Sequence, residues 1–236
     1  MNEVRLERFL GGISRMTLNR PGRMNALTPA VFASMQDTLR TVEQDRTRVL
    51  ILAGEGERAL SAGYDLSRLG DLAAMPVTEF VELEHHFNAV VTGLHRLPFP
   101  VIAAVQGVAS GGGLSLALAA DLRVASTDAR FNASFATAGL SIGELGTSWL
   151  LPRLVGPGIA AELAYTGRMV HAEEALAIGL VDQIIPTSDL DDHVLSLAEQ
   201  LAKPGADRGP GKRTLRAHIE HPSLQASIDT SLGNRS

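Results

Sequence analysis

The stretch from Val101 to Asp121 restricts the fold more than any other part of the chain. Val101 to Val105 is apolar throughout, as expected of a strand covered on both faces. Gln106 and Gly107 interrupt it, and Gly111-Gly112-Gly113 follows. From Gly112 to Ala120 almost no polar face remains, which predicts a buried helix. A strand, a glycine turn and a helix, all buried, belong to an α/β layered protein. Three glycines at a helix start leave N–H groups that no Cβ shields. Such groups can bind an anion or a developing oxyanion. They can equally serve to let the helix pack closely on the strand, and the stretch alone does not choose between the two.

The flanking sequence repeats the alternation of strand and helix. Ile13 to Leu18 and Arg48 to Ala53 predict strands. Thr28-Pro29 predicts a helix start, with Thr as cap and Pro as first helical residue. Val31, Met35, Leu39 and Val42 then recur at helical spacing. Ser61 to Leu66 is a second glycine-bearing turn, residues 67–76 read as loop, and Pro76 opens a helix towards His95. Leu97 to Pro100 breaks that helix, and Asp121 to Ala125 predicts another strand. Residues 131–149 are rich in small residues and read as an irregular segment lining a site. Helices follow at Pro157 to Gly167 and Ala172 to Ile178, and a last strand at Val181 to Ile185. Ser188 with Asp191 predicts a capping box for a helix to Leu201. Lys203 to Gly211 reads as a linker, with two helical patches beyond it and no internal repeat.

Composition narrows the functions. With 236 residues, 45% hydrophobic and 20% charged, the chain can bury a sizeable core. A net charge of −5 gives no electrostatic reason to bind nucleic acid or an anionic membrane. The absence of cysteine excludes disulfides, thiolate catalysis and Cys-bound zinc. The charged N-terminus lacks the apolar core of a signal peptide, and no run reaches the ~20 apolar residues of a membrane span. A cytoplasmic location is the expectation.

Three motifs fail on inspection. Gly209 to Thr214 lacks the upstream glycine of a P-loop, since residue 206 is Ala, and Lys212 is not followed by Ser or Thr. Gly113 to Ala117 approaches a nucleophile elbow, but Ser115 falls inside the predicted helix rather than on an exposed turn. His85 and His86 are adjacent and so point to different helix faces, which does not suit a metal pair. No metal site and no bound cofactor are expected.

Several segments, in order, resemble the crotonase (enoyl-CoA hydratase/isomerase) superfamily over residues 10–200. They are Leu18-Asn19-Arg20-Pro21 with Asn25-Ala26-Leu27, Ser61 to Leu66, Pro100 to Gly107, and Gly111-Gly112-Gly113 through Ala120 to Ala125. Gly146-Thr147, Leu151 to Gly156, Thr166-Gly167-Arg168, Glu174-Ala175-Leu176 and Gly179-Leu180-Val181 complete the pattern. The resemblance implies an α/β spiral of ββα turns with two roughly perpendicular sheets over residues 1–202. It implies a C-terminal helical region at 203–236 used in oligomer contacts, and a homotrimer or dimer of trimers. It implies an acyl-CoA thioester as substrate, with its oxygen held by the backbone N–H groups of Tyr64 and Gly112. Arg23 is the implied cation for a CoA phosphate, and Ala26 and Ala62 the implied backbone contacts to adenine. Asp65, Leu66, Gly111, Ser115 and Phe135 are the further residues implied to lie along the substrate.

The sequence also departs from that pattern. Family hydratases carry one glutamate two residues after the triple glycine and another four residues after the Phe matching Phe131. Those positions hold Ser115 and Phe135 here. Neither side chain can replace an ionised carboxylate as a base near neutral pH. Glu144 stands where the dienoyl-CoA isomerase branch carries an aspartate, so the resemblance implies a single shuttle base and double-bond isomerisation. Glu144 could instead face solvent or pair with Arg153. Glu82, Glu84 and His86 are weaker candidates for a second group. The alternative reading is a catalytically silent acyl-CoA-binding protein. The family also continues for a further two helical turns or so past the segment ending at Ser236, so the C-terminal region is expected to be shortened.

Overall fold

The computed structural model describes residues 2–68, 70, 75–135, 144–203 and 208–220. In chain order the elements are β1 (Val4–Phe9), β2 (Ile13–Leu18), α1 (Pro29–Gln44), β3 (Val49–Gly54) and β4 (Ala59–Ser61). Next come α2 (Val77–Arg96), β5 (Val101–Val105), β6 (Val108–Ser110), α3 (Gly112–Ala119), β7 (Leu122–Ser126) and β8 (Arg130–Asn132). Then follow α4 (Thr147–Val155), α5 (Pro157–Thr166), β9 (Val170–His171), α6 (Ala172–Ala177), β10 (Gln183–Ile185), α7 (Leu190–Ala202) and α8 (Arg208–Glu220).

Two sheets carry the α/β fold. The larger has the order β1-β2-β3-β5-β7-β10, and the smaller β4-β6-β8-β9. In the larger sheet β1 and β2 are antiparallel and the remaining neighbours parallel. Each of β3, β5 and β7 is followed within a few residues by a short strand of the smaller sheet. The same ββ step therefore occurs three times, with α2 after the first and α3 after the second. The sequence does not show this repeat because each pass uses different residues.

The period of two along the strands explains the layering. Leu50, Leu52, Val101, Ala103 and Val105 face one core, together with α1 residues Val31, Met35, Leu39 and Val42 and with α3. Val49, Ile51, Ala53, Ile102 and Ala104 face the other, covered by Leu190, Val194, Ala198 and Ala202 of α7. Both faces of β3 and β5 are thus dry, which is why these strands read as unbroken apolar runs. Each large aliphatic side chain so enclosed contributes roughly 1.5–3 kcal/mol. The Thr28 side chain accepts a hydrogen bond from the Val31 N–H at 3.2 Å, with Pro29 next, as the start signal predicts.

One strand was not foreseen and three sequence expectations need correction. Val4–Phe9 forms an edge strand that the charge-rich N-terminus concealed. Residues 147–149, the end of the segment 131–149 read as irregular, open the helix Thr147–Val155, which continues despite Pro152 within it. The capping box is absent: α7 begins at Leu190 without a side-chain cap bond, the Ser188 hydroxyl donates to Asp189, and Asp191 accepts from Arg15. The stretch read as a linker to Gly211 already belongs to α8 from Arg208 onwards. A proline so near a helix start costs no hydrogen bond, because the first N–H groups have no helical partner.

Candidate functional site

The two glycine turns meet at the start of α3. Gly111 caps the helix at φ +49°, a conformation glycine adopts without strain. Its N–H donates to the Asn132 carbonyl at 3.1 Å, and its own carbonyl accepts the Ser115 N–H at 3.0 Å. Among the described residues the Gly112 N–H has no acceptor, as expected in a first helical turn.

The contact between the turns excludes side chains. A Cβ at Gly113 would lie 2.3 Å from the Ser61 carbonyl oxygen. At Gly63, where φ is +89°, it would lie 2.7 Å from the Ser110 carbonyl oxygen and 3.4 Å from the Gly112 nitrogen. The backbone at 61–63 and at 110–113 is therefore in van der Waals contact, and only glycine permits it.

The first turn is fixed from its other side. Leu27 donates to the Gly63 carbonyl at 2.8 Å and accepts from the Asp65 N–H at 2.9 Å, so Leu27 and Tyr64 form a parallel bridge. In such a bridge the flanking residues make the bonds, and the amide of Tyr64 is directed away from Leu27. The Tyr64 ring packs on Phe87 of α2 with centroids 5.8 Å apart, and Phe87 stacks on Phe32 at 4.0 Å.

The segment 20–27 is stapled to this turn. Asn25 is buried in a left-handed conformation at φ +52°, with its amide donating to the Ala59 carbonyl at 2.8 Å. Its side-chain oxygen accepts the Arg20 N–H at 2.9 Å, and its main-chain carbonyl accepts the Ser61 hydroxyl at 2.8 Å. Arg20 donates to the Ala26 carbonyl at 2.6 Å and to Asp65 at 3.1 Å, and pairs with Glu3 at 3.2 Å. The Ser67 hydroxyl, at 2.7 Å, and then Arg20 hold the Asp65 carboxyl below its ordinary value.

The implied site residues divide accordingly. Tyr64, Ala62, Asp65, Gly111 and Gly112 stand together in the paired turns. Ala62 donates its N–H to the Met24 carbonyl at 2.9 Å, and the Ala26 carbonyl already receives Arg20. Arg23 is exposed, and among the described residues its side chain makes no ion pair. Leu66 is 66% exposed. Ser115 is fully enclosed within α3, its hydroxyl shared between the Gly111 carbonyl at 3.2 Å and the Thr147 hydroxyl at 2.5 Å. Phe135 is buried in the main core. Glu144 contributes backbone to a short 3-10 turn with Leu145 and Gly146, but its side chain lies outside the described residues.

Sequence reasoning missed Arg20, Asn25 and Leu145. Arg20 and Asn25 act only through partners 5 to 45 residues away, and Leu145 occupies a left-handed conformation at φ +54° that its side chain does not signal. The Leu145 methyl would lie 2.9 Å from a Cβ at Gly112, and a Leu27 methyl 3.0 Å. Two aliphatic side chains thus flank the Gly112 backbone. A non-glycine residue at such φ costs roughly 1–2 kcal/mol, which the surrounding structure must offset.

Chemically, the arrangement is an apolar-walled pair of backbone turns at a helix N-terminus, suited to hold one carbonyl oxygen. Among the described residues no group of three or more His, Asp or Glu side chains is placed to hold a metal ion. No described helix is long and apolar enough to cross a membrane.

Known proteins resemble this chain along most of its length. The family model described as enoyl-CoA hydratase/isomerase matches residues 8–234. The chain is 42% identical over 225 residues to a protein of Mycobacterium tuberculosis named as a probable enoyl-CoA hydratase, EchA12, covering 92% of this chain and 78% of that one. It is 38% identical over 204 residues to the 1,2-epoxyphenylacetyl-CoA isomerase of Escherichia coli, covering 86% and 77%. The crystal structure of enoyl-CoA hydratase from Bacillus anthracis superposes with a TM-score of 0.89 at 31% identity, covering 98% of this chain and 88% of that one.

Proposed function

Because the chain belongs to the enoyl-CoA hydratase/isomerase, or crotonase, family, we propose that it is an acyl-CoA enzyme holding the thioester oxygen between the N–H groups of Tyr64 and Gly112. The observation that carries this reading is the contact of the two turns, closed at Gly63 and Gly113 to anything larger than a hydrogen. Backbone donors fixed in this way need no reorganisation as negative charge builds on the oxygen. Each such donor typically contributes ~3–4 kcal/mol to the transition state. The Gly112 N–H adds the positive end of α3.

The reaction we assign is double-bond isomerisation rather than two-glutamate hydration. Ser115 spends its hydroxyl on Gly111 and Thr147, and Phe135 has no proton to give. Glu144 is the remaining acid of this segment. As base it would take a proton from the α or γ carbon and return it at the other end of the allylic system, the enolate charge resting on the two amides meanwhile. Relatives named for hydration and for isomerisation both occur, so the family alone does not choose between the two reactions. Arg23, exposed beside the turn, is the cation we assign to a CoA phosphate. A homotrimer acting in the cytoplasm completes the proposal, and light scattering of the purified chain tests its oligomeric part.

The test is an assay of 2-enoyl, 3-enoyl and dienoyl thioesters with the native chain and with Glu144→Gln. The expected result is interconversion of double-bond positions, reduced ~100-fold or more in kcat by the substitution, with acyl-CoA affinity unchanged. Full turnover by the variant removes Glu144 from the mechanism. Saturable acyl-CoA binding without turnover of any substrate establishes the silent binding protein instead.

A further inference from the structure

The larger sheet ends at β1, and among the described residues no strand lies on its other side. Antiparallel pairing with β2 decides which of its main-chain groups are left over. The Asn19 N–H donates to the Glu3 carbonyl at 2.8 Å, and Val4 stands opposite Leu18 in the same register. The Leu18 carbonyl is turned the other way, where it accepts the Glu55 N–H at 2.8 Å. Hydrogen-bonded and non-bonded pairs alternate along such a ladder. Arg5, Glu7 and Phe9 therefore direct their N–H and C=O groups to β2, and Val4, Leu6 and Arg8 direct theirs outward. The side chains along this edge are open to solvent, with Arg5, Glu7 and Arg8 44%, 41% and 51% exposed.

The order of charges fits this edge to a copy of itself. Arg5 and Glu7 lie on one face of the sheet, with Arg5 Nε 3.2 Å from the Glu7 carboxylate. When two β1 strands run antiparallel with Leu6 opposite Leu6 of the second copy, Val4 stands opposite Arg8. All the outward residues then fall in hydrogen-bonded pairs. Arg5 faces Glu7 of the second copy, and Glu7 faces its Arg5, in the non-bonded pairs where side chains come closest. Charges of alternating sign thus form a square across the two-fold axis. A slip by two residues sets Arg5 against Arg5 or Glu7 against Glu7, and a slip by one sets outward groups against inward ones. Charges on an edge strand ordinarily keep a second copy away. Here their order admits one register and opposes the others.

We propose that β1 is a self-association edge, at which two copies of the chain pair antiparallel through Val4–Phe9 and continue the larger sheet across a two-fold axis. Such a contact is isologous. It is distinct from the three-fold contact of the proposed homotrimer, and it joins two copies whether or not each belongs to a trimer. No residue of the paired turns takes part.

Sedimentation equilibrium of the full chain tests the proposal, with Arg5→Glu, Glu7→Arg and the double exchange Arg5→Glu/Glu7→Arg in parallel. Circular dichroism checks the fold of each. By symmetry a single exchange sets two like-charged pairs across the axis, and the double exchange restores opposite charges. The expected result is a concentration-dependent doubling of mass in the native chain. Its dissociation constant is expected to rise by about tenfold or more in either single variant, and to recover in the double exchange and in an equimolar mixture of the two single variants. The Arg5 pair with Glu55 is lost in the double exchange as well, so recovery there excludes that pair as the cause. Hydrogen exchange on the peptide spanning 4–9 reads the contact itself, because the outward amides of Leu6 and Arg8 gain protection on pairing. A native mass that does not double, single variants that associate as the native chain does, or no added protection at 4–9 overturns the proposal. Three-fold assembly without doubling overturns this contact and leaves the trimer standing. Doubling without three-fold assembly supports this contact and removes the trimer.

Discussion

The two ends of α3 are built in opposite ways. At Gly112 the recognition elements are main-chain amides, and side chains are excluded by contacts as short as 2.3 Å from an added Cβ. At the other end Asp121 pairs with Lys212 and Arg216 of α8, beside the buried ring nitrogens of His95 in α2. A backbone site tolerates change in neighbouring side chains but no added atom. A side-chain site has the converse tolerance, and it carries buried charge that responds to pH.

The largest effect expected from this contrast is at Gly113→Ala. The new methyl meets the Ser61 backbone, which cannot rotate away, so the loss of stability should exceed about 3 kcal/mol. Urea unfolding measures it, and a stability equal to that of the native chain would break the contrast at its first term. Asp121→Asn comes next. It leaves Lys212, which is 8% exposed, without its carboxylate. Breaking a buried pair costs ~3–5 kcal/mol, and the partial exposure of Asp121 reduces this to about 2 kcal/mol.

The third prediction concerns pH. His95 has its folded value depressed to about 4, so between about 6.5 and about 4 the unfolded chain binds more protons than the native one. Native stability should fall as pH falls through that window, by about 1–2 kcal/mol after allowance for partial exposure. In His95→Phe that part of the slope should vanish, and an unchanged slope would assign it to other groups. The smallest effect on stability is at Gly112→Ala, about 1 kcal/mol, because its methyl meets only the ends of Leu145 and Leu27. Its turnover should nevertheless drop sharply, since any shift of that amide moves it off the thioester oxygen. A variant as active as the native chain would separate Gly112 from catalysis.

The same contrast governs what the sequence reveals. α1 was legible because Thr28-Pro29 and a four-residue apolar stripe are local signals, and β3 and β5 because burial on both faces leaves unbroken apolar runs. The paired turns were legible as glycines in two separate places, and resemblance joined them. β1 was not, since an edge strand with one solvated face alternates Arg and Glu with Val and Leu. α4 was not, because Pro152 and the left-handed Gly146 read locally as breaks. The ion-pair cluster at Asp121 left no local trace. Lys212 lies in a failed phosphate-loop motif, and its partner Asp121 is ninety-one positions earlier, as the pair's numbering shows. Nothing in the spacing of either residue points to the other.

The central claim is that two backbone amides polarise a thioester carbonyl. Infrared difference spectroscopy of a bound acyl-CoA, labelled with carbon-13 at the thioester carbon, tests it on the bond concerned. The account predicts a carbonyl stretch at lower frequency in the complex than in solution, with the shift largely lost in Gly112→Ala. A saturated complex whose carbonyl frequency equals that of the free thioester would contradict it.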